Sequence, residues 1–215
     1  MKKIMVAVVM LFGIASAANA TVFNGKLEIG GGGFDAIPVS GDFKDHAESE
    51  LGWNVFADYE VMNNISVGLE YGQVSGYDIK DTEEHLTASP SVYEATEPDE
   101  LDENYLGIRA RYMLPFEIYN IKAKAYGLLG IARYEWKTDP DYAKDNGIGF
   151  SLGLGLNVDI TEHIFAGAEA RYHFAPKFEY TTQSSLEGPA MIIERESEKL
   201  SMNYMSLGLQ VGYRF

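Results

Sequence analysis

The sequence predicts an all-β fold, an eight-stranded antiparallel up-and-down transmembrane β-barrel, and three observations carry that prediction. First, the chain ends on a strand with two unlike faces. Met205, Leu207, Leu209, Val211, Tyr213 and Phe215 fall on one side, and Ser206, Gly208, Gln210, Gly212 and Arg214 on the other. Side chains in a strand repeat every second residue, so one face is apolar and the other narrow and polar. Second, long and short gaps between such segments alternate along the chain. Third, the chain opens as exported proteins do.

The opening comes first in chain order. Lys2 and Lys3 precede an apolar run from Ile4 to Ile14, and Ala18-Asn19-Ala20 follows. A positive start, a short apolar core and an A-x-A site make a secretory signal peptide, cut before Thr21. The apolar run is too short for the ~20 residues of a spanning helix. Residues 1–20 are therefore expected to be the signal peptide and 21–215 the barrel domain. No later stretch reaches helical spanning length, so the exported product is either soluble or crosses a membrane as strands.

Composition excludes several classes. The chain has no cysteine, so disulfides give it no help. Its formal charge of −15 becomes more acidic when the leader lysines leave. That balance argues against nucleic acid as a partner and against adsorption to anionic lipid through a basic patch. No Pro/Ser-rich linker divides the chain, which suits one domain.

Eight period-two segments follow: about Asn24 to Phe34, Leu51 to Glu60, Ile65 to Tyr77, Tyr105 to Leu114, Tyr119 to Trp136, Gly147 to Ile160, Ile164 to Thr181 and Ser201 to Phe215. Long gaps at 35–50, 78–104, 137–146 and 182–200 alternate with short ones at 61–64, 115–118 and 161–163. An eight-stranded up-and-down barrel needs this order when both termini lie on the short-turn side. The faces are distinct in each segment. In the sixth, Ile148, Phe150, Leu152, Leu154, Leu156 and Val158 oppose Gly149, Ser151, Gly153, Gly155, Asn157 and Asp159.

Periodicity leaves open which face is inside, and a water-soluble barrel of lipocalin type would turn the apolar face inward. Three features favour the membrane arrangement. The polar face is built of Gly and Ser rather than the Lys, Glu and Thr of a solvated surface. Aromatic residues gather at strand ends, with Phe34, Trp53, Tyr172, Phe174 and Phe178 toward the long loops. Phe23, Tyr59, Tyr112, Tyr119, Tyr213 and Phe215 lie toward the short turns, matching two interfacial belts. The aromatic terminus also sits on the short-turn side.

The eight-strand plan, the leader, the final Gly212-Tyr213-Arg214-Phe215 and the charged polar face resemble the small outer-membrane barrels of Gram-negative bacteria. These are the OmpA transmembrane domain, OmpX and the opacity-type adhesins. The likeness covers nearly the whole chain from Thr21 and is architectural. It implies location in the cell outer membrane, with outer-membrane lipid and the barrel-assembly machinery as partners. It further implies that the terminal strand, with Tyr213 and Phe215, is the assembly signal. No peptidoglycan-binding domain is expected after the eighth strand.

An outward apolar face puts the polar face in the lumen. Lys26, Arg109, Arg111, Lys122, Lys124, Arg171 and Arg214 are then the inward cations, and Glu28, Asp58, Glu60, Glu70, Asp159 and Glu169 the inward anions. The two sets nearly balance, as an ion-paired interior requires, because unpaired buried charge is costly. Eight strands leave an interior just wide enough for side chains. The network is expected to plug the barrel, with a narrow or gated pore through the same charges as the alternative. Phe56 and Phe165 are the clear aromatic exceptions on this face.

From Asp78 to Glu103 the chain is strongly acidic, with Lys80 its one cation. Such a loop is a solvated surface or a cation-dependent or adhesive one facing the medium. Asp139, Asp141, Asp145 and Asn146 lack the ligand spacing and glycine of an EF-hand, so no metal site is assigned. Catalysis needs several groups within hydrogen-bond reach. His163 and His173 lack the His-x-Ser pair of the lipid A deacylase barrels, and His46 and His85 lie in acidic loops without an ordered nucleophile. No enzyme activity and no cofactor are expected. The function expected is structural or surface-interacting, of adhesion type, with a surface ligand or host factor not identified. The alternative is a narrow pore or an OmpW-like transporter of small or apolar molecules.

Overall fold

Ten strands form in the computed structural model, which describes residues 27–40, 43–44, 47–78, 100–139, 144–185 and 193–215. The leader (1–20), Phe23, Lys26, His46, His85, Asp141 and the acidic stretch 79–99 lie outside the described residues. The strands are β1 (Leu27–Pro38), β2 (Glu50–Met62), β3 (Ile65–Asp78), β4 (Glu100–Ile118), β5 (Ile121–Asp139), β6 (Lys144–Asp159), β7 (Ile164–Phe174), β8 (Lys177–Ser185), β9 (Ile193–Ser201) and β10 (Tyr204–Arg214). Eight of them close a barrel in the order β1-β10-β7-β6-β5-β4-β3-β2, every pair antiparallel. Closure gives each strand a neighbour on both sides across the band, so the backbone groups there are bonded, which a hydrocarbon environment demands; only the lower β4–β5 hairpin extends past its outer neighbours.

The seventh period-two segment does not run unbroken to Thr181. It stops at Phe174, and β8 leaves the barrel to pair with β9 as a separate two-stranded ribbon. Ala175-Pro176 makes the break, since proline has no N–H to give a ladder. The short turn expected at 115–118 sits instead at Tyr119 and Asn120, whose φ angles of 51° and 66° suit a two-residue hairpin turn. Pro115 is tolerated inside β4 because β3 ends its pairing at Ile65 opposite Tyr112, leaving that edge free lower down.

The apolar face is outward. Leu69, Ile108, Leu129, Leu152, Leu154 and Leu209 are each more than half exposed, Leu154 at 71%. Toward the long loops this band ends at Tyr71, Leu106, Ile131 and Ile148. The next outward residues are Gln73, Asn104, Arg133 and Asn146, joined by Tyr71 Oη donating to Asn104 Oδ1 at 3.0 Å and Arg133 Nη2 to Asn146 Oδ1 at 3.1 Å. Parts of β3, β4 and β5 beyond this rim stand outside the membrane.

Two belt positions are corrected. Phe34 points inward and is buried, because β1 keeps its even positions in the lumen. Phe215 is only 5% exposed rather than part of a lipid-facing stripe. Its N–H bonds Leu27 O at 2.9 Å and its ring packs edge-on to Tyr213.

Candidate functional site

Inward side chains form one chain of ion pairs across the lumen. Nearest the short turns, Arg214 on β10 donates from Nε to Glu28 Oε1 at 2.8 Å and from Nη1 to Asp159 Oδ1 at 3.2 Å. Glu28 on β1 also takes Arg111 Nη2 at 2.6 Å and lies 3.5 Å from Lys124 Nζ. Arg111 reaches Asp58 at 2.8 Å, and Asp58 receives Arg109 in a fork of 2.9 and 2.5 Å. Glu70 lies 3.9 Å from Arg109 and 2.7 Å from Arg171, which also holds Glu169 at 2.5 Å. The cations Arg109, Arg111, Arg171, Arg214 and Lys124 thus meet the anions Glu28, Asp58, Glu70, Glu169 and Asp159 in equal number.

Local sequence makes room for this crowd. Asp58 and Arg109 sit on β2 and β4, and the residue between them on β3 is Gly68. A Cβ at Gly68 would strike the Asp58 carboxylate. The lumenal aromatics follow the same rule: Phe56 faces Gly30, Tyr105 faces Gly72, Tyr126 faces Gly155 and Phe165 faces Gly212. Phe56 in turn supports Arg109, whose Cζ lies 3.7 Å from the ring centroid.

Neutral groups complete the network. Asn54 Nδ2 donates to Glu70 at 2.7 Å, Tyr126 Oη to Glu169 at 2.8 Å, and Gln210 Nε2 to Tyr126 Oη and Asn157 Oδ1 at 2.7 and 2.8 Å. One nitrogen each of Arg109, Arg111 and Arg214 is buried without a hydrogen-bond partner among the described residues. A cavity of about 20 Å³ beside Asn54, Glu169, Arg171, Ser206 and Gln210 has room for about one water.

Above the charges lies an aromatic layer. His173 stacks on Tyr204 with centroids 4.2 Å apart, and its Nδ1 and Nε2 lie 3.0 Å from Tyr134 Oη and 3.1 Å from Ser206 Oγ. Higher still, beyond the membrane rim, Val74, Tyr77, Leu101, Trp136 and Met202 pack with Phe43 and Ala47 from the segment between β1 and β2. Glu103 is buried among them.

The structure therefore brings together Glu28, Asp58, Glu70, Arg109, Arg111, Lys124, Glu169, Arg171, Arg214 and Asp159. Lys122 is corrected: it is exposed, because β5 meets β6 only from Ala123 and nothing encloses the hairpin below. Glu60 accepts the Asn64 amide in the β2–β3 turn instead of pairing with a cation. Tyr213 stacks on His163, whose Nδ1 lies 3.0 Å from Arg214 O. Sequence reasoning missed Asn54, Glu103, Tyr105, Tyr126 and Tyr134. Their signal was available, since each shares the inward alternation of its strand. Among the described residues no group of three or more His, Asp or Glu could hold a metal ion.

The family model of the outer membrane protein beta-barrel domain matches residues 4–215. No curated protein matches the chain in sequence. Among solved structures, the outer membrane protein OprG of Pseudomonas aeruginosa is 16% identical with a TM-score of 0.55, covering 89% of this chain and 96% of that one. Neisserial surface protein A is 13% identical with a TM-score of 0.54, covering 88% and 97%. The N-terminal barrel of Pseudomonas aeruginosa OprF is 16% identical with a TM-score of 0.51, covering 89% and 98%. At these identities the likeness speaks for the fold alone. The chain belongs to the outer membrane protein β-barrel domain family, and it is a small eight-stranded barrel of the outer membrane.

Proposed function

We propose that the barrel is a plugged stand for its surface loops, with a structural or adhesion-type role and no catalytic one. Residues 1–20 act as the export signal and 21–215 insert with the help of the barrel-assembly machinery. The observation that carries this reading is the ion-pair network from Arg214 to Glu169, whose members come from all eight barrel strands. Three of its arginines, Arg109, Arg111 and Arg171, are almost fully buried, each with carboxylates at 2.5 to 2.9 Å. Charges held this way leave about one water's worth of space beside them. An OmpW-like path for apolar molecules would need an apolar lining, which guanidinium and carboxylate groups do not provide.

Planar-bilayer recording on refolded protein tests the plug. The expected result is no reproducible open conductance at neutral pH; a stable channel would replace the plug with a pore. Cells with and without the protein, compared for surface adhesion and for small-solute uptake, test the role. Lost uptake with unchanged adhesion would favour transport.

A further inference from the structure

Glu103 differs from every other buried carboxylate of the described residues. Glu28, Asp58 and Glu70 each face one or more guanidinium groups. Glu103 faces none. It is 0% exposed, Tyr204 Oη donates to its Oε1 at 2.7 Å, and its Oε2 meets no hydrogen-bond partner among the described residues. Two neighbours in the same cluster, Tyr77 Oη and Trp136 Nε1, are also buried without a partner. A carboxylate ionised there would lose its hydration with no cation to replace it.

What seals Glu103 is a small cap. Phe43 packs edge-on to Tyr77 and Trp136, with centroids 5.1 and 6.1 Å away, and Ala47 lies in the same cluster. The cap is hooked to the opposite side of the mouth. Val39 and Ser40 donate their N–H groups to Asn203 O at 3.1 and 3.3 Å, and Ser40 Oγ bonds Ser201 O. The titratable groups around Glu103 are Tyr77 on β3, Tyr105 on β4, Tyr134 on β5, His173 on β7 and Tyr204 on β10. Glu50 on β2 and Asp35 on β1 act on Tyr77 from farther off. None of these contributes a lysine or arginine, and Lys44, beside Phe43 on the cap, is exposed; among the described residues no cation lies against Glu103.

We propose that Glu103 is a proton-controlled latch on the outer mouth of the barrel. Protonated, it lets Phe43 and Ala47 seat on Trp136 and Tyr77; ionised, it drives them off and admits water. The latch lies outside the membrane rim, above the aromatic layer of Tyr204, His173 and Tyr105 that separates it from the lumen network. Burial raises the Glu103 pKa from 4.5 to about 8, against the hydrogen bond from Tyr204, which pulls it down. The sign follows from linkage. The closed mouth keeps a proton that the hydrated acid releases, so closure is fully favoured below about 4.5. It weakens by up to roughly tenfold per pH unit between there and about 8, and changes no further above.

The test uses Trp136 as reporter. The chain has two tryptophans, so full-length refolded Trp53→Phe leaves Trp136 alone. Acrylamide quenching is then measured from pH 5 to pH 9. Expected is a protected Trp136 at pH 5, a several-fold rise in quenching by pH 9, and an apparent midpoint at or below about 8. Adding Glu103→Gln should keep Trp136 protected throughout. Quenching that does not change with pH, or that rises equally with Glu103→Gln, overturns the latch. Should Glu103→Gln fail to give the heat-modifiable band of a folded barrel, Phe43→Ala decides. It should leave Trp136 quenched at every pH, and an unaltered pH transition in it would overturn the proposal.

Discussion

Asp58 shows how much one lumenal residue carries. It is 1% exposed and holds Arg109 and Arg111 together. Removing it would leave two almost fully buried guanidinium groups short of an anion. Breaking a buried pair from one side costs about 3–5 kcal/mol, more than the pair contributes relative to an apolar replacement. Asp58→Ala should therefore lower the unfolding free energy by about that amount in guanidinium titration of the micelle-bound barrel, while Glu60→Ala at the turn should cost less than about 1 kcal/mol. Equal effects would mean that the lumen is hydrated enough to screen its charges. That these acids and bases point inward was legible from alternation alone. Which acid takes which base was not. Arg214 and Glu28 lie 186 positions apart and meet because β10 closes on β1. Lys122 shows the same limit from the other side, for alternation assigns a face but not the height at which the barrel wall ends.

Strand pairs obey a second rule, of volume. A glycine stands across from each of Phe56, Tyr105, Tyr126 and Phe165, as Gly155 does from Tyr126. A Cβ at Gly155 would press into the Tyr126 ring, whose hydroxyl links Glu169 and Gln210. Gly155→Ala should therefore destabilise by about 1–3 kcal/mol, the usual range for overpacking. Gly127→Ala, where nothing lies within 4 Å of the added carbon, should be close to neutral or slightly stabilising. Similar losses at both sites would show that backbone freedom matters here more than space. The glycines were legible as small residues making room inward, but their partners required the register. The β8–β9 ribbon escaped the sequence reading because its segments continue the alternation of β7 and lead into β10. Its strands pair only with each other, and β7 and β10 pair directly. Replacing 178–200 by a short polar loop should thus leave the heat-modifiable gel shift intact. Loss of the shift would mean that the ribbon is needed to bring β10 to β7.

At the scale of the whole molecule, the closing strand joins three demands. It supplies the lipid-facing Leu207, Leu209 and Val211, the lumenal Arg214, and the terminal residue that ties β10 back to the start of β1. The fold class was legible because lipid and lumen ask for opposite side chains at alternate positions, and eight strands can satisfy both only as a closed wall. The role of Phe215 was less so, since it is buried against Tyr213 and bonded to Leu27 instead of standing in lipid. Two effects of deleting it must then be separated. Loss of one backbone hydrogen bond and one ring contact should cost about 1–2 kcal/mol, too little to unfold the barrel. Loss of an address for the assembly machinery should instead reduce insertion in the cell. The truncated chain is expected to refold in detergent with a normal gel shift, yet to be depleted from the outer membrane while still exported. Normal insertion in cells would remove the address, and failure in both settings would make Phe215 a structural residue only.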